Sequence, residues 1–138
     1  MKTIVEAIPE GSALFVGSSR PVRDIEACTH YRPGIRTYAN RGLAGIDGNI
    51  STALGIAETY QKSYSILGDL TFLHDLSALV NTNQVDHCLF IIDNNGGGIF
   101  STLPQAGSDG FEKVFGTPHG LDIAKLIEGF GLEVVRVK

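Results

Sequence analysis

Long hydrophobic runs are absent from this sequence: no apolar stretch approaches the roughly 20 residues of a membrane-spanning helix, which argues against an integral membrane protein. The start of the chain carries Glu6 and Glu10 where a secretory signal would hold its apolar stretch, so a cytoplasmic location is expected. Basic residues are few and scattered, 11 Lys and Arg against 15 Asp and Glu, and the net charge is -4. That distribution lacks the electrostatic footprint that nucleic acid or an anionic membrane demands. Cysteine is scarce as well. Cys28 and Cys88 lie sixty positions apart, with no neighbouring Cys and no His at ligand spacing, which excludes a zinc site or a redox pair and leaves both as reduced packing residues. There is no internal repeat, no low-complexity tract and no linker. No G-x-G-x-x-G follows the first apolar run, and no P-loop lysine is present.

What is present suits one soluble domain. The chain has 138 residues, 43% of them hydrophobic and 19% charged, enough to bury a substantial core. Glycine stands out at 17 residues, so many positions need positive φ or close approach of the backbone to another group. Along the chain, strand and helix patterns alternate. Ser12–Gly17 reads as a strand followed by a Pro-initiated helix from Pro21 to about Tyr31, and Ile35–Ala39 as a strand feeding the glycine-rich segment Arg41–Gly48 and a helix from Asn49 to about Gln61. Tyr64–Leu67 leads into Gly68 and Asp69, then Leu73, Leu76, Leu79 and Val80 recur at helical spacing. Cys88–Ile92 is a continuous apolar run, as expected of a strand buried on both faces. Residues 101–119 read as a long, mobile loop, and a helix at about Leu121–Phe130 and a strand at Glu133–Val137 close the chain, an ending that suggests truncation.

The fold class this implies is α/β, a doubly wound parallel sheet with helices on both faces. Ligands of such sheets bind outside the carboxyl ends of the strands. The polar, glycine-rich turns all fall at those ends: Gly17-Ser18-Ser19, Asn40-Arg41-Gly42, Gly68-Asp69 and Asn94-Asn95-Gly96. Asp69 stands just before a helix, where it either caps that helix or ligates a hard cation while the amides of Leu70 and Thr71 face the anion the cation holds. The turn Asp93 to Gly98 offers amide oxygens and bare backbone that suit the other half of an oxygen-ligand shell, and the 27 positions from Gly68 to Asn94 leave room for one crossover helix. Arg23 and Arg41, in two of the strand-end segments, suit bidentate binding of carboxylates.

A Gly-Asp pair followed after such an interval by an Asn-rich turn resembles the motif of thiamine-diphosphate-dependent enzymes. The motif usually reads Gly-Asp-Gly with two Asn before its variable position; here Gly68-Asp69 is followed by Leu70, and Asp93 stands before Asn94. The resemblance implies side-chain ligands from Asp69 and Asn94 and a carbonyl ligand from Gly96, holding Mg2+ or Mn2+, with Asn95 at the variable position. Three stretches, Gly17–Asp24, Tyr38–Gly48 and Gly96–Gln105, are similar to the menaquinone-pathway members of that family, which join 2-oxoglutarate to isochorismate. That likeness implies a transferase in which Arg41, Arg23 and Ser19 meet the substrates. Ser18, Ser19, Gly68, Asp69, Leu70, Thr71, Asn94, Gly96 and Gly98 would surround the diphosphate, and Ser19 lines the substrate pocket or touches that group. Ile46 takes the place of a bulky apolar residue that bends the cofactor, while Ile99, Phe100 and Leu103 form either the pocket wall or ordinary core. It further implies a single thiamine-diphosphate-binding domain over 1–138, part of a larger homo-oligomeric enzyme. The glutamate that activates the aminopyrimidine then comes from another domain, usually on a neighbouring subunit. An acetolactate-synthase-like or 2-oxo-acid decarboxylase domain, or a non-catalytic phosphate- or nucleotide-binding α/β module, are the competing readings.

Overall fold

The computed structural model of the chain describes residues 1–82 and 85–137. They fall into two compact units, Met1–Ile92 and Asp93–Lys138. The first holds the sheet, four parallel strands in the order β2-β1-β3-β4: β1 is Ala13–Val16, β2 Arg36–Tyr38, β3 Ser63–Gly68 and β4 His87–Ile92. The doubly wound parallel sheet expected from the alternating pattern is therefore observed. Its helices are α1 (Lys2–Ala7), α2 (Arg20–Cys28), α3 (Asn49–Ala57) and α4 (Asp69–His74), the last followed by a 3-10 turn, Leu76–Asn81.

Alternation along the strands divides the core in two. Leu14, Val16 and Ile66 face one side with Val5, Ile8 and Ile35, and Val22 and Ile25 of α2 pack against them. Ala13, Phe15 and Leu67 face the other side, and α3, which buries Ile50, Ala53, Leu54 and Ala57, lies against β1 and β3. Each fully buried side chain of this size stabilises the fold by about 1.5–3 kcal/mol. The chain leaves β1 toward β2 and returns across β1 to β3, so the winding reverses between β1 and β3. At such a reversal the loops after the two strands diverge and leave a crevice. Gly17 lets the central strands close tightly there, since a methyl group on it would run into the Leu67 side chain.

Three expectations for this unit change, and one helix is additional. Helix α1 is not evident in the sequence, because six residues are too few to show helical periodicity and it is burial of Val5 and Ile8 that holds them. The helix after β3 is broken at Asp75, where φ is -124° and the carboxylate turns to bond Ser51 on α3. Among the described residues β4 is the last strand of the sheet, and its side chains are half-buried or exposed rather than buried on both faces. Cys28 and Cys88 are free thiols, but both are exposed rather than packed: one ends α2, the other lies on β4.

The second unit contains helix α5 (Ile123–Gly129), a 3-10 turn, Gly98–Thr102, and a single π-helical turn, Glu112–Gly116. The segment 101–119 is thus not an unstructured loop. Phe115 packs on Phe100 and Phe111 with ring centroids 5.7 and 5.6 Å apart, an apolar anchor that the surrounding Gly and Pro obscure in the sequence. Glu133–Val137 forms no strand: alternation suits it to one, but a strand needs a partner, and the four-stranded sheet does not include it. No helix among the described residues is long and apolar enough to cross a membrane.

Candidate functional site

The residues singled out by sequence fall at strand ends, in two groups. In the first unit the turn after β1 is conformationally special: Ser19 adopts φ 77°, a left-handed value that a residue with a side chain holds only when its surroundings enforce it. This lets the chain turn abruptly from strand into α2, whose first turn contains Pro21. Ser18 is buried, and its hydroxyl oxygen has no partner among the described residues. An orphaned buried hydroxyl costs about 1–3 kcal/mol, and such a group is often explained by a ligand. Arg23 is exposed on the same helix and donates from Nη1 to the Ser19 carbonyl at 3.3 Å.

Asp69 follows β3 on the other side of the reversal. Gly68 occupies the capping position and Asp69 is the first helical residue, so Asp69 is not the N-cap of α4. Its side chain is only 1% exposed and accepts the Leu70 amide at 2.7 Å. Thr71 is buried one turn further on. Arg41 is exposed, Ile46 half-buried, and both lie in the loop between β2 and α3. Gly48, with φ 69°, ends that loop in a conformation suited to glycine.

In the second unit the turn that follows β4 is a tight backbone cradle. Asn95 adopts φ 60°, its N–H donates to Asp93 Oδ1 at 3.0 Å, and its side-chain oxygen accepts the Gly120 amide at 2.8 Å. Gly97 donates to the Gly116 carbonyl at 2.7 Å. A side chain on Gly96 would overlap the Gly116 carbonyl oxygen, and one on Gly98 the amide of Asn94. A cleft of about 110 Å³ opens among Asn94, Gly96, Gly98, Ser101 and Glu112. Ile99 and Phe100 lie in the 3-10 turn beside it, with Phe100 in the aromatic cluster and Leu103 exposed. His119 Nε2 lies 3.8 Å from Asp93 Oδ1, a juxtaposition that a separation of 26 positions hides in the sequence.

A larger cavity of about 330 Å³ lies between α1, α2 and the middle of β1, but none of the strand-end residues lines it. What the strand ends offer is oxygen donors, bare backbone amides and guanidinium groups, the chemistry of a metal-bound phosphate ester beside a carboxylate. The fold is therefore that of a parallel α/β domain with its polar turns at the strand ends.

Comparison with known proteins makes the class specific. Residues 23–138 match the family described as thiamine pyrophosphate enzyme, C-terminal TPP binding domain. The chain belongs to that family. Among similar proteins, the 2-succinyl-5-enolpyruvyl-6-hydroxy-3-cyclohexene-1-carboxylate synthase of Saccharopolyspora erythraea is 44% identical over 96% of this chain and 25% of its own length. The synthases of the same name from Thermobifida fusca and Lysinibacillus sphaericus are each 42% identical, over 95% and 97% of the chain. The chain spans about a quarter of the length of these relatives.

Proposed function

We propose that this chain is the diphosphate- and metal-anchoring domain of a thiamine-diphosphate-dependent synthase. In this reading the enzyme decarboxylates 2-oxoglutarate and adds the succinyl carbanion equivalent to isochorismate in menaquinone biosynthesis. The observation that carries it is the buried Asp69 carboxylate at the end of β3, across the winding reversal from the orphaned Ser18 hydroxyl. These residues fit the group. A buried carboxylate at a strand end has the oxygen chemistry a hard cation takes, and an unpartnered buried hydroxyl suits a diphosphate oxygen. Gly68 and Ile92, the last residues of β3 and β4, are partners in the sheet register.

In this reading Asp69, Asn94 and the Gly96 carbonyl hold Mg2+ or Mn2+. Gly68, Leu70, Thr71, Gly98 and Ser18 border the diphosphate, with Ile99 and Phe100 on its apolar side. When bound, thiamine diphosphate supplies the electron sink for decarboxylation. The protein's own share is positional. Arg23 and Arg41 orient substrate carboxylates, Ser19 presents its hydroxyl to the same pocket, and Ile46 supports the cofactor's bend. Both proposed substrates are dicarboxylates, which agrees with paired arginines at the strand ends; acetolactate-type substrates would not call for them. The proposal includes a cytoplasmic homo-oligomer in which a separate domain completes the cofactor cleft.

Calorimetry on the full-length enzyme tests the reading. Thiamine diphosphate should bind with Mg2+ and not without it, whereas ATP and NAD should give no heat. Asp69→Ala should abolish the metal-dependent binding, because a diphosphate then loses the cation that shields it. Unchanged cofactor affinity in that variant would remove Asp69 from the site.

A further inference from the structure

Resting on that functional reading, we propose that Asp75 is a positioning residue for the loop 41–48, acting through the first turn of α3. Asp75 stands at the break between α4 and the following 3-10 turn. It is only 8% exposed, and both its carboxylate oxygens go to one residue of another helix. Oδ2 accepts the Ser51 backbone N–H at 2.7 Å, and Oδ1 accepts the Ser51 hydroxyl at 3.1 Å. That N–H is one of the donors a helix leaves unpaired at its start, where the helix dipole also favours negative charge. The helical run is broken at the point where this tertiary contact is made.

The loop hangs from the same turn. Among the described residues, no backbone–backbone hydrogen bond involves residues 39–47. Side chains hold the loop instead. Asn49 Nδ2 donates to the Gly45 and Asp47 carbonyls at 3.0 and 3.2 Å, while Asn40 Nδ2 donates to Thr52 Oγ1 at 3.3 Å. Thr52 Oγ1 in turn donates to the Gly48 carbonyl at 2.8 Å. Asn49 is fully buried, and its Oδ1 has no partner among the described residues, so its bonds to the loop are the only hydrogen bonds its side chain makes. The route runs from Asp75 to Ser51, from Ser51 along the helix to Asn49 and Thr52, and from these to the loop that carries Arg41 and Ile46. Asp69 opens the short helix α4 that ends just before Asp75. One carboxylate thereby sets the metal-side turn and the arginine loop in a common frame.

The test uses the full-length enzyme with Asp75→Ala, Asp75→Asn, Ser51→Ala, Arg41→Ala and the Asp75→Ala/Arg41→Ala pair. Hydrogen–deuterium exchange without substrate or cofactor should quicken at residues 41–53 in Asp75→Ala and stay unchanged in β3. The KM for 2-oxoglutarate should rise about tenfold, the effect of losing a charged hydrogen bond. Adding Asp75→Ala to Arg41→Ala should cost little more, because both lesions act through one group. Asp75→Asn, which keeps an oxygen acceptor for the Ser51 amide, should recover most of the loss, and Ser51→Ala should show a smaller change in the same direction. Normal exchange at 41–53, or losses that multiply fully in the double variant, would overturn the inference. Absence of 2-oxoglutarate turnover by the wild type would sink the functional reading instead, and the exchange arm would still decide the role of Asp75.

Discussion

Clamped between two serine hydroxyls, the His87 imidazole bonds Ser63 Oγ through Nδ1 at 2.7 Å and Ser65 Oγ through Nε2 at 2.8 Å. Burial lowers its pKa from 6.5 to about 4, and the charge of Asp86 opposes this only in part. The unfolded chain therefore takes up the proton first as the pH falls. Stability from this residue is complete above about pH 6.5 and is lost as the pH drops toward 4. At pH 5 the loss amounts to about 2 kcal/mol. Urea unfolding at pH 7 and pH 5 should show that difference in the wild type and a much smaller one in His87→Gln, which cannot titrate. An equal pH response in both proteins would show that His87 is not the group responsible.

Among the elements, the turn after β4 is the most demanding of its sequence. Gly96 has φ 138° and no room for a side chain beside the Gly116 carbonyl. Gly107, with φ 82°, faces open space. Gly96→Ala should therefore destabilise the second unit by at least about 2 kcal/mol, combining backbone strain with displacement of a packed segment. Gly107→Ala should cost only the strain, about 1–2 kcal/mol. Limited proteolysis within residues 111–120 would report the difference, and equal susceptibility of the two variants would mean that Gly96 is not packed as described. Such turns were legible in the sequence because Asn and Gly accumulate where the backbone turns left-handed. The strands were legible too, as apolar runs between those turns. What was hidden depends on partners far along the chain: the contact of Asp75 with Ser51, that of Asn95 with Gly120, the pairing of His119 with Asp93, and the aromatic cluster around Phe115. Periodicity carries no trace of them. The place of β4 as the last strand among the described residues was hidden for the same reason, since an apolar run does not reveal whether another strand will lie beside it.

For the molecule as a whole, the sheet has its own core on both faces, so the chain should fold when produced by itself, as cooperative unfolding followed by circular dichroism would show. It should nevertheless release no carbon dioxide from 2-oxoglutarate with Mg2+ and thiamine diphosphate, because the chain spans about a quarter of the relatives whose reaction is proposed for it. Measurable release would show a complete active site within 138 residues and overturn that part of the proposal. The order of the strands also bears on how the molecule comes to exist. The central pair joins β1 to β3 with Ala13 opposite Ser63, so its two halves are fifty positions apart. Closing so long a segment delays folding, because the entropy is lost before the pairing repays it. During synthesis β1 must wait, apolar and unpaired along one side, until β3 has left the ribosome. Changes in the strand-end turns should alter what the protein binds far more than how fast it folds, whereas changes that weaken the meeting of β1 and β3 should slow every molecule on its way to the native state.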